Sequence, residues 1–427
     1  MSSKRLVAAL CVCVCLDAAA QETAKDRAKA ARELGRQGSE SIPKLQPYLS
    51  DSELDVRLEA IKALVEIGTQ YSLEPLMAAT RDNDPEIQIR ATDGLVNFYL
   101  PGYVKTGLTA RLKRAGSRIT ATFGASSEIE PIPPYITVRP DVIETLGKLT
   151  RGGSTMEARA NAARAVGVLR GQAAIPDLLA ALRTKDDQVL YESLMALQKI
   201  RDPSVAPKIA FLLRDLNEKV QIAAIETTGL LQNREALPAL REAFQRARSK
   251  KVQRAALGAI AMIPDEENRA LYRQYFNDKD AAIRAAAAEG IARLGAAQDA
   301  AEMEKAFGEE RSASPRLARA FAVVGTGKAE ISEFSALQYL INSLNSRAWR
   351  GVAQPYLVEL ARKPDVRTSL HTALTKGTRD EKTGLLDVLA RSGGQDSLRH
   401  VDEMTRDTDP EVAQAAIRAA KTIRARL

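Results

Sequence analysis

Residues 55–68 read DVRLEAIKALVEIG, and this stretch has the pattern of one amphipathic helix. Ala60, Leu64 and Ile67 follow one another at intervals of four and three residues, so they share one face of a helix. Gly68 stands where a helix C-terminus commonly turns left-handed, which predicts that the helix ends there. A single helix cannot bury this apolar face alone, so the stretch needs neighbours of the same kind.

Related stretches recur about every 31 residues along almost the whole chain. Most successive intervals measure 30–33 residues, and two are longer, at 68 and 69 residues. Second helices are predicted between the aligned stretches, and two helices per unit at this period are typical of an α-solenoid. Aligned on Arg57, the comparable positions are Arg90, Arg159, Tyr191, Gln221, Gln253, Arg284, Ser314, Lys382 and Ala413.

The aligned stretches resemble HEAT repeats, in particular the short HEAT-like repeats associated with phycobilin lyase subunits. The best matches are residues 55–68, 157–171 and 282–295, and the resemblance covers roughly residues 21–427. It implies an all-α fold: a superhelical solenoid of about 11–12 two-helix repeats. In that family the Asp and Arg of the motif tend to pair between neighbouring repeats, which implies such a role for Asp55 with Arg57.

The 69-residue interval predicts an insertion at residues 102–139, between repeats at 21–101 and repeats at 140–427. Residues 118–123 alternate like a strand, and residues 135–138 are predicted to be its partner in a short β-hairpin. Inserted segments project from one edge of a repeat array and often carry function. A loop without a function explains the segment equally well.

The 68-residue interval predicts a divergent unit near residues 347–376, with Trp349 in its first helix. Trp349 and Tyr339 belong to the densest group of aromatic residues in the chain. At helical spacing such residues usually form core. If they are exposed, they are the kind of residue that anchors a protein partner.

The first 20 residues have the pattern of an export signal. Lys4 and Arg5 precede an apolar run at residues 6–16, and small residues precede a predicted cleavage between Ala20 and Gln21. Eleven apolar residues are too few to span a bilayer, which needs about 20. The pattern predicts a periplasmic or secreted protein with no transmembrane segment after cleavage. A buried N-terminal helix, a lipoprotein and a retained anchor are the alternatives.

The sequence offers little for catalysis. All three cysteines lie within the predicted signal, and the two histidines are His371 and His400. A HEAT-like hydroxylase such as deoxyhypusine hydroxylase holds two irons with several His-Glu pairs, and no such pair occurs in this chain. No phosphate-binding glycine loop or EF-type calcium loop is present either. We therefore predict no catalytic residue, no metal site and no cofactor.

Two basic clusters could contact an anionic partner, in a chain of formal net charge +8. Solvated helix ends would explain both clusters as well. Aromatic residues that could stack on bases are nearly absent from them, and export removes nucleic acid from reach, so no nucleic acid is expected. The first cluster consists of Arg241, Arg246, Arg248, Lys250, Lys251 and Arg254, and the second centres on Arg111, Lys113 and Arg114.

The sequence favours a non-catalytic scaffold of the cell envelope that binds a protein along the concave face of its solenoid. One alternative, implied only by the resemblance, is an accessory or lyase-like enzyme. Another is a protein that binds anionic envelope surfaces through its basic clusters.

Overall fold

A computed structural model describes residues 23–104 and 130–427. These ranges contain 23 α-helices and no strand, which confirms the predicted all-α fold. The odd-numbered helices are α1 (Ala24–Gly35), α3 (Leu54–Ile67), α5 (Pro85–Tyr99), α7 (Met156–Val168), α9 (Asp187–Ile200), α11 (Glu218–Leu230), α13 (Lys250–Met262), α15 (Ala281–Leu294), α17 (Ala313–Gly325), α19 (Arg350–Leu360), α21 (Arg379–Ser392) and α23 (Pro410–Arg424). The even-numbered helices are α2 (Ile42–Leu45), α4 (Leu73–Ala79), α6 (Pro140–Gly152), α8 (Ile175–Ala181), α10 (Ala206–Ile209), α12 (Leu237–Gln245), α14 (Arg269–Tyr275), α16 (Ala300–Glu309), α18 (Ala336–Asn342), α20 (Pro364–Lys376) and α22 (Gln395–Met404).

The helices form two layers. From α3 onward, each odd helix packs on the even helix that precedes it in the chain, and neighbouring odd helices pack on one another. The described ranges therefore hold eleven helix pairs and a final single helix, α23, in agreement with the predicted 11–12 units. Because the units are stacked, one apolar core runs through the whole array.

Local sequence signals fix where the helices begin and end. Asp84 and Asp409 each accept hydrogen bonds from two backbone N–H groups of the first turn, and a proline follows each of them. Gly68 ends α3 with a left-handed backbone, φ 58°, as its position in the sequence predicts. Arg170 and Arg201, at the ends of α7 and α9, have left-handed φ values although they carry side chains.

Small residues let the odd helices approach closely. A Cβ atom built on Gly167 in α7 would lie 2.6 Å from the Ala196 Cα in α9. A Cβ on Gly229 in α11 would likewise lie 2.6 Å from the Ala259 Cα in α13. The backbones of neighbouring odd helices therefore touch, with no room for a larger side chain between them.

Contacts between helices two units apart show which layer is concave. Arg293 in α15 donates hydrogen bonds to both carboxylate oxygens of Glu359 in α19, at 2.9–3.1 Å. The Tyr356 hydroxyl of α19 donates to Glu289 of α15 at 2.6 Å. These contacts pass over α17, which is possible only where the row of helices curves inward. The odd helices therefore line the concave face, and the even helices form the convex face.

Ion pairs join neighbouring units along one edge. Arg57 lies 2.9 Å from Asp82 of the following unit, and its guanidinium also donates to the Asp51 carbonyl at 2.8 Å. The pairing between repeats that the family resemblance implies is therefore present, but its acid is Asp82. Asp55 is exposed and has no ion pair within the described ranges, because it points into solvent from the first turn of α3.

The predicted insertion at residues 102–139 lies mostly outside the described residues, and helices α19 and α20 occupy the divergent unit near residues 347–376. Helix α5 ends just before Pro101, and α6 is the displaced second helix of that unit. The predicted strand at 118–123 lies outside the described residues. The predicted strand at residues 135–138 is wrong, since a turn and irregular backbone occupy that segment. Three of the four residues just before it, at 131–134, are prolines, which cannot donate the backbone hydrogen bonds of a strand. Trp349 caps the N-terminus of α19 instead of lying within it.

The end of the insertion connects distant parts of the array. The buried Ile132 donates its N–H to the Val168 carbonyl at the end of α7, at 2.9 Å. Glu130 forms an ion pair with Arg391 of α21 at 3.2 Å, and the Lys421 ammonium of α23 lies 4.2 Å from the centre of the Tyr135 ring. We call this junction, formed by residues 130–138 with the ends of α7 and α21, the seam.

Candidate binding groove

A row of charged side chains follows the concave face. Five residues after the Arg57 register, most odd helices carry a charged residue in an otherwise apolar segment. Because the offset is constant, these residues lie at equivalent places in successive helices. The row, called the concave stripe below, consists of Lys62, Arg164, Glu226, Glu289, Asp387 and Arg418. Arg319 has the same offset, but it is buried and donates to the carbonyls of Ala306 and Phe276 in the even-helix layer.

At the N-terminal end of the stripe, side chains are fixed by a polar network. Arg164 donates to Glu192 at 2.8 Å, and the Glu192 side chain is almost fully buried. Asn161 donates to Asp93 at 3.0 Å and accepts from Arg164 at 3.3 Å. Such a network holds each side chain in one orientation.

Beside this network lies a cleft of about 480 Å³, which is large enough for a side chain or a small molecule. Asp93, Asn161 and Arg164 form its polar wall, and residues 100–103 form the opposite wall. Burial and the nearby Asp93 carboxylate raise the pKa of the Tyr103 hydroxyl, so this hydroxyl stays protonated and can donate a hydrogen bond.

Burial in the concave surface shifts the pKa of three groups. Burial lowers the pKa of the Lys199 ammonium to about 8, against the opposing effect of Glu192. Burial also raises the pKa of the Glu226 and Asp387 carboxyls, although both side chains remain exposed to solvent. An exposed group that is partly desolvated lies in a recess, so these shifts agree with a water-filled groove.

Towards the C-terminus the stripe is covered by a tight cluster. Phe321 and Tyr356 stack with ring centres 4.7 Å apart, and the Arg293 guanidinium lies 5.2 Å from the centre of the Phe321 ring. Glu289 and Glu359 both bind Arg293. This part of the groove is closed by its own side chains, which leaves the stretch from α5 to α13 as its open part.

The comparisons with known proteins agree with this architecture. The family model for HEAT repeats matches residues 14–96, 143–215, 206–267 and 242–323, which is more than half of the chain. The chain belongs to the HEAT-repeat family. No curated protein sequence matches it at a significant level.

Several solved structures resemble this HEAT-repeat chain in fold. The complex of CpcE and CpcF of phycocyanin lyase from Nostoc sp. PCC7120 is 17% identical, with a TM-score of 0.37 over 61% of this chain and 90% of that one. Importin beta is 12% identical, with a TM-score of 0.40 over 95% and 60% of the two chains. Kap121p is also 12% identical, with a TM-score of 0.43 over 94% and 56%.

The two histidines of the HEAT array meet between the convex helices α20 and α22. Their rings stack with centres 4.4 Å apart, and His371 Nε2 lies 2.9 Å from the Ser397 Oγ. Within the described ranges, no group of three or more His, Cys, Asp or Glu side chains is placed to hold a metal ion. The pair closes the packing between two repeats.

We expect the histidine pair to make stability depend on pH. Burial, and then the neighbouring His400, lower the pKa of His371 below its ordinary value. The unfolded chain therefore binds this proton first, and stability is lost as the pH falls below about 6.5. Thermal unfolding at pH 7.5 and pH 5.5 should show a larger loss of Tm for the wild type than for His371→Gln. An equal loss in both proteins would contradict the assignment.

Carboxylates pair with most of the first predicted basic cluster. Arg241 binds Glu267, Arg246 binds Glu242, Lys251 lies 3.6 Å from Glu218, and Arg254 binds Asp280. These four cations join helices within and between HEAT units. Arg248 and Lys250 are exposed and have no ion pair with any residue of the described ranges.

The remaining predicted contact residues lie elsewhere. Arg111, Lys113 and Arg114 fall outside the described residues. Tyr339, on the convex helix α18, is half-buried between Phe307 and the guanidinium of Arg316. Trp349 is also half-buried, against the core at the start of α19. Neither aromatic lies on the concave face.

Sequence patterns did not indicate the residues of the groove, such as Glu192, Arg293 and Glu359. One signal could have found part of them: a charged residue recurs five positions after the Arg57 register, in the middle of helices that are otherwise apolar. No helix of residues 23–104 or 130–427 is both long and apolar enough to cross a membrane.

Proposed function

We propose that this HEAT-repeat protein is a scaffold of the cell envelope that binds a protein partner along the open part of its concave groove, from α5 to α13. The observation that supports this most is the concave stripe, a row of charged residues at equivalent places in several of the odd helices, among them α7 and α11 of the open part. Such a row offers an extended ligand a series of equivalent contacts from different repeats.

The chemistry of the groove suits reversible binding. Arg164, Glu192 and Asn161 hold one another in place, so little side-chain freedom is lost when a partner binds. Glu226 and Lys199 provide charges in a partly desolvated recess, where electrostatic contacts are stronger than on an open surface. These features provide affinity and orientation without a chemical step.

Export is the part of the proposal that rests on sequence. Residues 1–20 have the order of a signal peptide, with a basic start, an apolar run and small residues before Gln21. Expression in a bacterium should therefore give a mature chain in the periplasm whose first residue is Gln21, as read by N-terminal sequencing. A full-length chain recovered from the cytoplasm would contradict export.

Charge reversal on the groove tests the scaffold function. We expect Glu226→Lys to lower the affinity for the captured partner about tenfold, because a partly desolvated contact becomes repulsive. The partner is first captured from envelope extract with the wild-type chain, and its affinity for purified variants is then measured by titration.

A matched variant controls for net charge. Glu302→Lys makes the same change in charge on the convex helix α16, where the carboxylate is exposed. This variant should bind the partner as the wild type does. If the convex variant weakens binding as much as the concave one, the partner does not use the groove.

A further inference from the structure

Three arginines at the seam have no carboxylate partner among the described residues. Arg170 and Arg201 follow the ends of α7 and α9, one repeat apart, and Arg362 follows the end of α19. All three side chains are exposed, and none of them forms a hydrogen bond or ion pair within residues 23–104 and 130–427. By contrast, Arg57 and Arg284, near the starts of α3 and α15, are paired with Asp82 and Glu310.

The geometry of the seam brings these arginines together. Glu130 binds Arg391, and two residues later Ile132 binds the Val168 carbonyl, which lies two residues from Arg170. Since two residues span at most about 7 Å, the end of α21 lies close to the end of α7. Burial, and then Arg201 and Arg391, lower the pKa of Arg170, while burial, Arg391 and Arg362 lower that of Arg201.

Like charges that converge without a counterion oppose the folded state. Arg170 and Arg201 also hold the left-handed backbone that glycine adopts at Gly68 and Gly295, which disfavours any side chain there. In the next repeat Gln232 occupies the equivalent place with φ 53°, so an uncharged side chain fits this backbone. The positive charge is therefore not needed for the turn itself.

The seam already holds one acidic extended segment. Residues 130–134 read Glu-Pro-Ile-Pro-Pro, with the Glu130 carboxylate on Arg391 and the Ile132 side chain buried. Prolines keep such a segment extended. A second segment of this kind could lie beside it on the three arginines, which have no side-chain partner in the part of the chain that the structure describes.

The spacing of the arginines suits an extended anionic chain. Neighbouring packed helices lie about 8–10 Å apart, so the backbones that carry Arg170 and Arg201 are separated by a similar distance. Carboxylates two or three residues apart in an extended chain are separated by roughly 7–10 Å. Arginine binds carboxylates in a bidentate manner, and each such pair adds affinity and orientation.

We propose that the seam binds an extended acidic peptide segment of a protein partner, with successive carboxylates on Arg170 and Arg201 and a further one on Arg362. This assignment rests on the scaffold function proposed above, and it specifies that the partner carries an extended acidic segment. Arg170, Arg201 and Arg362 are not members of the concave stripe, so the seam and Glu226 of the groove can be substituted independently.

Fluorescence anisotropy with the full chain tests this site. The probe is a labelled nine-residue peptide with glutamate at alternate positions, compared with the same peptide carrying glutamine. We expect the glutamate peptide to bind at least about tenfold more tightly than the glutamine peptide, as one lost charge-assisted contact already predicts. Equal binding of the two peptides would overturn the proposal.

Two matched triple variants locate the binding. Arg170→Gln, Arg201→Gln and Arg362→Gln together should weaken the glutamate peptide about tenfold or more, and Gln232 shows that this side chain suits the backbone. Arg183→Gln, Arg311→Gln and Arg347→Gln change the same charge on exposed arginines of the opposite edge, and should leave the affinity unchanged. Equal weakening by both variants would mean that net charge alone attracts the peptide.

Two further results separate the alternatives. If inorganic tripolyphosphate binds the wild type but not the seam variant, and the glutamate peptide binds neither, the seam is an oxyanion site and the peptide proposal is wrong. If the seam variant loses the peptide while Glu226→Lys keeps it, the seam proposal is supported whatever the groove binds. If the groove variant then binds the captured partner as tightly as the wild type does, the groove proposal is wrong and the seam proposal still stands.

Discussion

Replacing Glu310 with alanine is expected to lower the free energy of unfolding by about 3–5 kcal/mol. The reason is that Arg284 and Arg319 lose the carboxylate they share, and no other carboxylate of the described residues forms an ion pair with either of them. Glu310 accepts from Arg284 Nε at 3.1 Å and lies 3.5 Å from Arg319. The Arg319 and Glu310 side chains are 6% and 8% exposed, so water cannot replace the lost partner. Urea denaturation of the purified variant measures the effect.

The neighbouring residue provides the control. Glu309 lies 3.9 Å from Lys305, and both side chains are largely exposed. Surface pairs of this kind contribute roughly 0–1 kcal/mol, so Glu309→Ala should unfold almost as the wild type does. Similar losses for Glu309→Ala and Glu310→Ala would show that the buried ion pair does not stabilise the contact between α15 and α17.

The same residue predicts a pH dependence. Burial raises the pKa of the Glu310 carboxyl, but the Arg284 hydrogen bonds, the Ser312 N–H and the Arg319 charge outweigh burial and hold the pKa below its ordinary value. The stabilisation is therefore present above the pKa of the unfolded chain and is lost as the pH falls through the folded pKa. We expect the difference between wild type and Glu310→Ala to shrink below about pH 4.5.

Replacing Gly229 with alanine is expected to destabilise the array by about 1–3 kcal/mol, because the new methyl group would overlap the next helix. Its Cβ would lie 2.6 Å from the Ala259 Cα and 3.1 Å from the Ala259 carbonyl oxygen. These are backbone atoms, so α11 and α13 must move apart. Hydrogen exchange should then be faster in α11 and α13 than in α21.

Gly258, in the adjacent helix α13, is the matched control. A Cβ built there meets no atom within 4 Å, since Gly258 faces the open groove. Alanine favours helix over glycine by about 0.5–1 kcal/mol, so Gly258→Ala should be neutral or stabilising. If Gly229→Ala is as stable as Gly258→Ala, close packing against Ala259 does not explain the glycine at position 229.

The solenoid could be predicted because its signals are local. The apolar spacing of each helix, the Asp-Pro starts at Asp84 and Asp409 and the turn at Gly68 each act within about four residues. Because these signals repeat at a fixed interval, the helices they predict form a regular array. The same reasoning identified the insertion and the divergent unit as places where the interval breaks.

The groove and the seam could not be predicted in this way. Arg293 meets Glu359 across 66 residues, and Arg391 meets Glu130 across 261 residues. Which residues meet across a curved array depends on the small rotation between repeats, summed over many units. The pattern within one repeat gives no information about this accumulated rotation. The partner of Arg57 was misassigned for a related reason, since Asp82 belongs to the next unit.

Side-chain footprinting of the captured complex tests the concave-face proposal most directly. Met262 shares the register of Arg293 on the concave face, and Tyr103 lines the cleft, whereas Tyr71, Phe211 and Phe334 are exposed outside the groove. With partner bound, hydroxyl-radical oxidation should fall at Met262 and Tyr103 and stay unchanged at the other three. Protection of Tyr71, Phe211 and Phe334, with no change at Met262 and Tyr103, would contradict binding in the groove.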